Sequence, residues 1–155
     1  MTDCIFCKIA RGDERASLVY EDELCFAIMD YLPMTAGHVL IIPKQHASLL
    51  NQLDPVMQAH LTATVSRIRV AVNQSGIPCD AAHILLNDGK AAFQSVAHVH
   101  FHIIPRCKGD FFRFVFRTSA NLFLEFLWNP IMGHKTRRDI LDEHAAKIRA
   151  CLNQA

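Results

Sequence analysis

No stretch of this sequence is both long enough and free enough of charge to read as a membrane span. The most apolar run, Phe111 to Trp128, is interrupted by Arg113, Arg117 and Glu125, and a spanning helix needs about 20 predominantly apolar residues. Nor is there an excess of one charge. Sixteen Lys and Arg stand against 15 Asp and Glu, for a net charge of +1 with neutral histidines, and no long basic or acidic block occurs. That balance argues against nucleic acid or a membrane surface as the main partner and leaves room for a small anion bound locally. Internal repeats and low-complexity segments are absent too. The opening Met1-Thr2-Asp3-Cys4 has neither a basic nor an apolar leader region, so the expected compartment is the cytoplasm. Thiols stay reduced there, and the six cysteines are not expected to form a disulfide framework.

What is present fits one domain. The chain has 155 residues, about half of them hydrophobic, enough for a sizeable core. Short strands are expected at Leu18–Tyr20, Leu24–Met29, His38–Ile42, Ala82–Asn87 and Val96–Ile104, the third and fifth ended by Pro43 and Pro105. Asp54-Pro55 is a helix start, an N-cap followed by proline at the first position. Met57, Leu61, Val65, Ile68 and Val72 then recur at helical spacing until Gly76 and Pro78. A last helix is expected from an N-cap at Thr136, with Ile140, Leu141, His144, Ile148 and Cys151 as its buried stripe. Strands in series around one long helix, without βαβ alternation, indicate an α+β class with an antiparallel sheet. The apolar run Leu122 to Trp128 is expected to be covered, because exposed it would invite aggregation.

The chemistry concentrates in His98-Val99-His100-Phe101-His102. On a strand these three imidazoles share one face, with neighbours roughly 6–7 Å apart. Burying each without a partner would cost roughly 1–3 kcal/mol, so a purely structural role is weak. Two histidines two apart on a strand can chelate a metal; alternatively, a neutral imidazole is a good nucleophile near neutral pH once a neighbour fixes its tautomer. The polar run Asn87-Asp88-Gly89 and then Gln94-Ser95-Val96 favours the second option, because such a loop can offer donors to a phosphate. Cys4-x-x-Cys7 is too short to identify zinc by itself, and a redox dithiol or two ordinary thiols are the rivals.

These residues resemble the histidine triad (HIT) family, whose signature is His-x-His-x-His followed by two apolar residues. "HVHFHII" fits it in full, and "CIFCKIARG", "GHVLIIPKQH" and "LLNDGKAAFQSV" follow the family's order and spacing. The "PR" after the triad and the "GDFF" at Gly109 to Phe112 resemble the Fhit branch and bacterial relatives, and the opening "IFCKI" resembles the Hint branch. The resemblance covers roughly residues 4–110, so the chain is expected to be one HIT domain over 1–155, with a divergent segment at 111–155. It implies a HIT-like fold with a five-stranded antiparallel sheet, one long helix and a C-terminal helix. It also implies a homodimer formed through the long helix and an edge strand.

The resemblance further implies a nucleotide hydrolase or transferase. The α-phosphate of a purine nucleotide conjugate, a dinucleoside polyphosphate or a nucleoside phosphoramidate, would pass through a covalent nucleotidyl-histidine intermediate. His100 matches the nucleophile, His102 the position facing phosphate or leaving group, His98 the first triad position, and His38 the family's fourth active-site histidine. Asn87, Gln94, Ser95 and the Val96 backbone match the phosphate loop. Asp30 matches the acid that holds the ribose hydroxyls, and Ile5, Phe6, Ile9, Ile28, Tyr31 and Leu40 match the purine pocket. Cys4, Cys7, His46 and His98 match a structural Cys2His2 zinc site carried by several bacterial members. The alternative is a nucleotide-binding regulatory HIT protein with little turnover.

Overall fold

The computed structural model describes residues 4–112, 114–116 and 134–153. Five strands form one sheet: β1 (Leu18–Glu21), β2 (Cys25–Met29), β3 (Val39–Pro43), β4 (Ala81–Leu86) and β5 (Phe101–Arg106), in the spatial order β1-β2-β3-β5-β4. Every neighbouring pair is antiparallel. Among the described residues, α-helices flank the sheet at α1 (Ile5–Arg11), α2 (Pro55–Gln74) and α3 (His134–Leu152). Among the described residues, no helix is long and apolar enough to cross a membrane.

Alternation along the strands divides the core into two layers. Cys25, Ala27 and Met29 of β2, Val39 and Ile41 of β3, and Ile103 of β5 face α2 and α3. There they meet Leu61, Val65, Ile68 and Val72 from α2 and Leu141, Ala145 and Ile148 from α3. Phe26, Ile28, Leu40 and Ile42 face the other way and are partly covered by Phe6 of α1. One layer is thus thick and closed, the other thin and partly open.

Helix α2 starts where the sequence places it. Asp54 is the N-cap, its carboxylate accepting from the Met57 N–H at 2.8 Å, which satisfies one orphan donor of the first turn. Helix α1 was not foreseen. Seven residues show barely two turns of periodicity, yet the helix is well stopped: Gly12 takes φ 80, and its N–H donates to the Ile9 carbonyl.

Two expectations need correction. Helix α3 begins at His134 and runs through Thr136, so Thr136 is not its N-cap. The buried stripe of α3 is Leu141, Ala145, Ile148 and Leu152, while Ile140 is half exposed. Ala145 takes the buried place that the sequence reading gave to His144. The final strand begins at Phe101 rather than Val96. Beyond Ile41, which faces Phe101, strand β3 presents Ile42 and then Pro43. Proline has no N–H for a ladder, and the Pro43 carbonyl accepts from the His98 ring instead, at 2.9 Å. The expected coverage of Leu122 to Trp128 falls on residues outside those described.

Candidate active site and metal centre

From a bend at His98, residues 99 and 100 lead into β5, so of the three histidines only His102 lies within the strand. Val99 and Ile103 are buried in the thick layer; His98, His100 and His102 turn to the thin one. The His100 and His102 rings lie 4.9 Å apart between centroids, closer than the regular-strand estimate.

Hydrogen bonds fix the tautomer of each ring. His100 Nδ1 donates to the His98 carbonyl at 2.7 Å. A carbonyl only accepts, so Nδ1 carries the proton and Nε2 keeps its lone pair. Burial holds the His100 pKa below the ordinary histidine value, which keeps the ring neutral. The second chain of bonds starts at the Met34 N–H, which donates to His38 Nδ1 at 3.2 Å. His38 Nε2 therefore carries the proton and donates to His102 Nδ1 at 3.0 Å. That leaves His102 Nε2 as an N–H donor, buried with no hydrogen-bond partner among the described residues. A buried donor without an acceptor is costly, so this N–H is free to donate to an oxygen brought into the cavity.

Burial lowers His38 to about 3 and His102 to about 4. Unfolded histidines titrate near about 6.5, so the unfolded chain takes up protons first as pH falls. The stabilisation is therefore complete above about 6.5 and is lost as pH drops toward those folded-state values. The expected loss between pH 7 and 4.5 is about 5 kcal/mol for the two rings together, or roughly 10–20 °C in melting temperature for a chain of this size. Thermal melts at the two pH values check it; equal melting temperatures would exclude this account.

His100 and His102, but not His38 or His98, line a cavity of about 410 Å³. Ile5, Phe6 and Ile9 from α1, with Ile28 and Leu40 from the sheet, form an apolar wall; Asp30, Tyr31, Ser95, Val96, His100 and His102 complete the matched residues on it. Burial raises the Asp30 carboxyl above its ordinary value. It accepts from the Leu32 N–H at 2.9 Å and lies 3.4 Å from His38 Nδ1.

Two expected loop residues do not line the cavity. Asn87 donates to the Phe93 carbonyl at 3.5 Å. Gln94 accepts from the Gly89 N–H at 3.0 Å and donates to the Ser48 carbonyl at 2.8 Å. Both brace the loop that presents Ser95 and Val96. On the opposite side, Glu14, Arg15, Ala16, Arg138 and Leu141 also line the cavity. Sequence reasoning missed these residues; the basic pair Arg137-Arg138 at the start of α3 was the available signal.

Cys4, Cys7, His46 and His98 converge so that all four ligand atoms lie within 4.8 Å of one another. Cys7, three residues after Cys4, lies on the same side of the first turn of α1. Cys4 Sγ is 3.4 Å and Cys7 Sγ 3.7 Å from His98 Nδ1, Cys7 Sγ is 3.3 Å from His46 Nδ1, and the two Nδ1 atoms are 3.2 Å apart. Tetrahedral zinc, with bonds of about 2.3 Å to sulfur and about 2.0–2.1 Å to nitrogen, sets ligand separations of about 3.3–3.8 Å. The donor set fits zinc in type, number and spacing. His98 Nε2 donates to the Pro43 carbonyl, so its Nδ1 lone pair points at the sulfurs, the usual support of a metal-bound imidazole. The backbone links the two centres, since the same His98 supplies the carbonyl that orients His100.

A comparison with known families matches a HIT domain over residues 11–109. The chain is 41% identical over 108 residues to the adenylylsulfatase HINT3 of Arabidopsis thaliana, covering 70% of this chain and 54% of that protein. It is 38% identical over 103 residues to the adenosine 5'-monophosphoramidase hnt1 of Schizosaccharomyces pombe, covering 66% and 74%. The crystal structure of a Zn-bound histidine triad family protein from Mycobacterium smegmatis aligns with a TM-score of 0.76 at 38% identity, over 98% of this chain and 94% of that one. The His-x-His-x-His run at the start of β5, the five-stranded antiparallel sheet and these matches agree: the chain belongs to the HIT domain family.

Proposed function

We propose that the protein is a nucleotidyl hydrolase or transferase that acts on the α-phosphate of a purine nucleotide conjugate through His100. The observation that carries this is the tautomer. The Nδ1–H of His100 is committed to a carbonyl, and the Nε2 lone pair belongs to a buried, neutral ring on the cavity wall. His100 Nε2 attacks the phosphorus, and the bond from phosphorus to the leaving oxygen or nitrogen breaks with its electron pair going to the leaving group. His102 Nε2–H supplies a hydrogen bond to the charge that develops. Water then attacks the phosphorus, the phosphorus–nitrogen pair returns to His100, and the mononucleotide leaves after losing the water proton. Asp30, with one N–H donor of its own, has lone pairs for the two ribose hydroxyls. The apolar wall of Phe6, Ile28 and Leu40 suits a purine. Adenylylsulfatase and phosphoramidase relatives point to the same bond class.

Zinc held by Cys4, Cys7, His46 and His98 would supply a closed structural cross-link between α1 and the catalytic strand. A panel of adenosine and guanosine phosphoramidates with dinucleoside tri- and tetraphosphates tests the reading. Turnover of at least one class is expected; tight purine nucleotide binding with no turnover across the panel would favour a regulatory binding protein.

The homodimer belongs to the same proposal. Strand β4 is one of the two outer strands of the sheet, and Ile84 and Leu85 on it are 50% and 44% exposed, an apolar edge that invites a second strand. Light scattering should give twice the 17.5 kDa chain mass, and Ile84→Arg should shift it to monomer. A monomeric wild type would remove the dimer.

A further inference from the structure

Helix α3 forms the cavity wall that no motif pointed to. Its docking is set by Asp142, which accepts from Ser17 Oγ at 2.6 Å and from Arg15 at 2.7 Å. This clamp brings Arg138 to the cavity, where its Nη1–H donates to the Arg15 carbonyl at 3.1 Å. The guanidinium carbon lies 5.7 Å from the centre of the Tyr31 ring, next in sequence to Asp30.

Strand register places this group relative to the nucleophile. His102 faces Leu40, Leu40 faces Ile28, and Ile28 faces Leu18. Three strand spacings of about 4.8 Å put the catalytic strand about 14 Å from the β1 edge, where Arg15 holds Arg138. A nucleotide with its phosphorus at His100 and its base over Leu40 and Ile28 therefore brings the six-membered ring, with its 6-substituent and the neighbouring N7, toward Arg138.

A guanidinium only donates, and it presents its N–H groups as a planar fork. A 6-oxopurine offers two adjacent acceptors, O6 and N7, to such a fork. A 6-aminopurine offers N7 beside an amino donor, which opposes the second N–H. We infer that Arg138 is a specificity-determining residue that reads the 6-oxo edge of the base, so the site prefers guanine to adenine nucleotides. The inference rests on the nucleotide placement proposed above.

Calorimetric titration of the intact protein with GMP and AMP tests it, using wild type, Arg138→Ala and Arg138→Lys. Wild type should bind GMP roughly tenfold or more tightly than AMP. Arg138→Ala should lose that ratio by weakening GMP, with AMP changed less than about twofold. Arg138→Lys keeps the charge and the helix but not the fork, so it should lose the ratio too. Equal wild-type affinities, or equal losses for both nucleotides in the variants, would overturn the inference and leave the nucleotide site standing. Failure of wild type to bind either nucleotide would overturn both readings.

Discussion

Replacing His100 by alanine is expected to cut turnover at least about 10⁴-fold while leaving mononucleotide affinity within about threefold. The two readouts separate because of where the ring sits. Its Nδ1 side is buried against the His98 carbonyl, and its Nε2 is the only part of it that a phosphorus can meet. Removing the ring takes away the bond-forming atom. It leaves Asp30, the apolar wall of Phe6, Ile28 and Leu40, and the His102 Nε2–H in place. Those groups carry ground-state binding, so the Kd for product should barely move, which is the pattern of an interaction made only in the transition state. His100→Asn is the companion variant, because its amide can still donate to the His98 carbonyl and so preserves the local backbone. It should be equally inactive. Single-turnover quenching of wild type should show a nucleotidyl adduct on His100. A His100→Ala protein that turns over the substrate normally would end the nucleophile assignment.

The triad could be read from sequence because its signal is short-range: imidazoles two apart among β-branched and aromatic residues can share one face only in extended chain. The register of that strand could not be read. It depends on Pro43 in a different strand refusing a ladder bond and offering its carbonyl to His98. Helix α2 was legible because Asp54-Pro55 and five apolar residues at helical spacing agree over twenty residues. Helix α1, with seven residues, had too few turns to show a period, and its Cys4 and Cys7 were visible only as a pair. Asn87 and Gln94 were legible as important, but their side chains brace the loop instead of facing the cavity. The same residue types serve both purposes, and only placement separates them. Arg138 showed only as half of the basic pair Arg137-Arg138. Nothing local relates it to Arg15 or Tyr31, which lie more than a hundred residues away and meet it only because Asp142 docks α3 on β1.

The protein purified without chelator is expected to carry about one zinc per chain, and Cys7→Ser should lose it. Cys7 is the ligand to change because its sulfur reaches both imidazoles, 3.3 Å from His46 and 3.7 Å from His98. His98 is fully buried and His46 partly so. Without an ion, two ring nitrogens 3.2 Å apart face each other with at most one proton between them, and only weak S–H donors from Cys4 and Cys7, 3.4 and 3.3 Å away, are placed to meet them. Burial and the neighbouring Cys4 raise the Cys7 pKa in the absence of a cation, whereas a divalent ion favours the thiolate. Loss of such a centre should cost about 3 kcal/mol or more, or roughly 6–12 °C in melting temperature. The consequence should reach catalysis through one backbone atom. The His98 carbonyl that holds His100 Nδ1 belongs to a residue whose ring is anchored at the metal site, so kcat/KM should fall roughly 10–100-fold with nucleotide affinity less affected. Elemental analysis, thiol titration and melting of wild type and Cys7→Ser measure each part. Zinc-free wild type with freely reactive Cys4 and Cys7, melting at the same temperature as the variant, would remove the structural zinc.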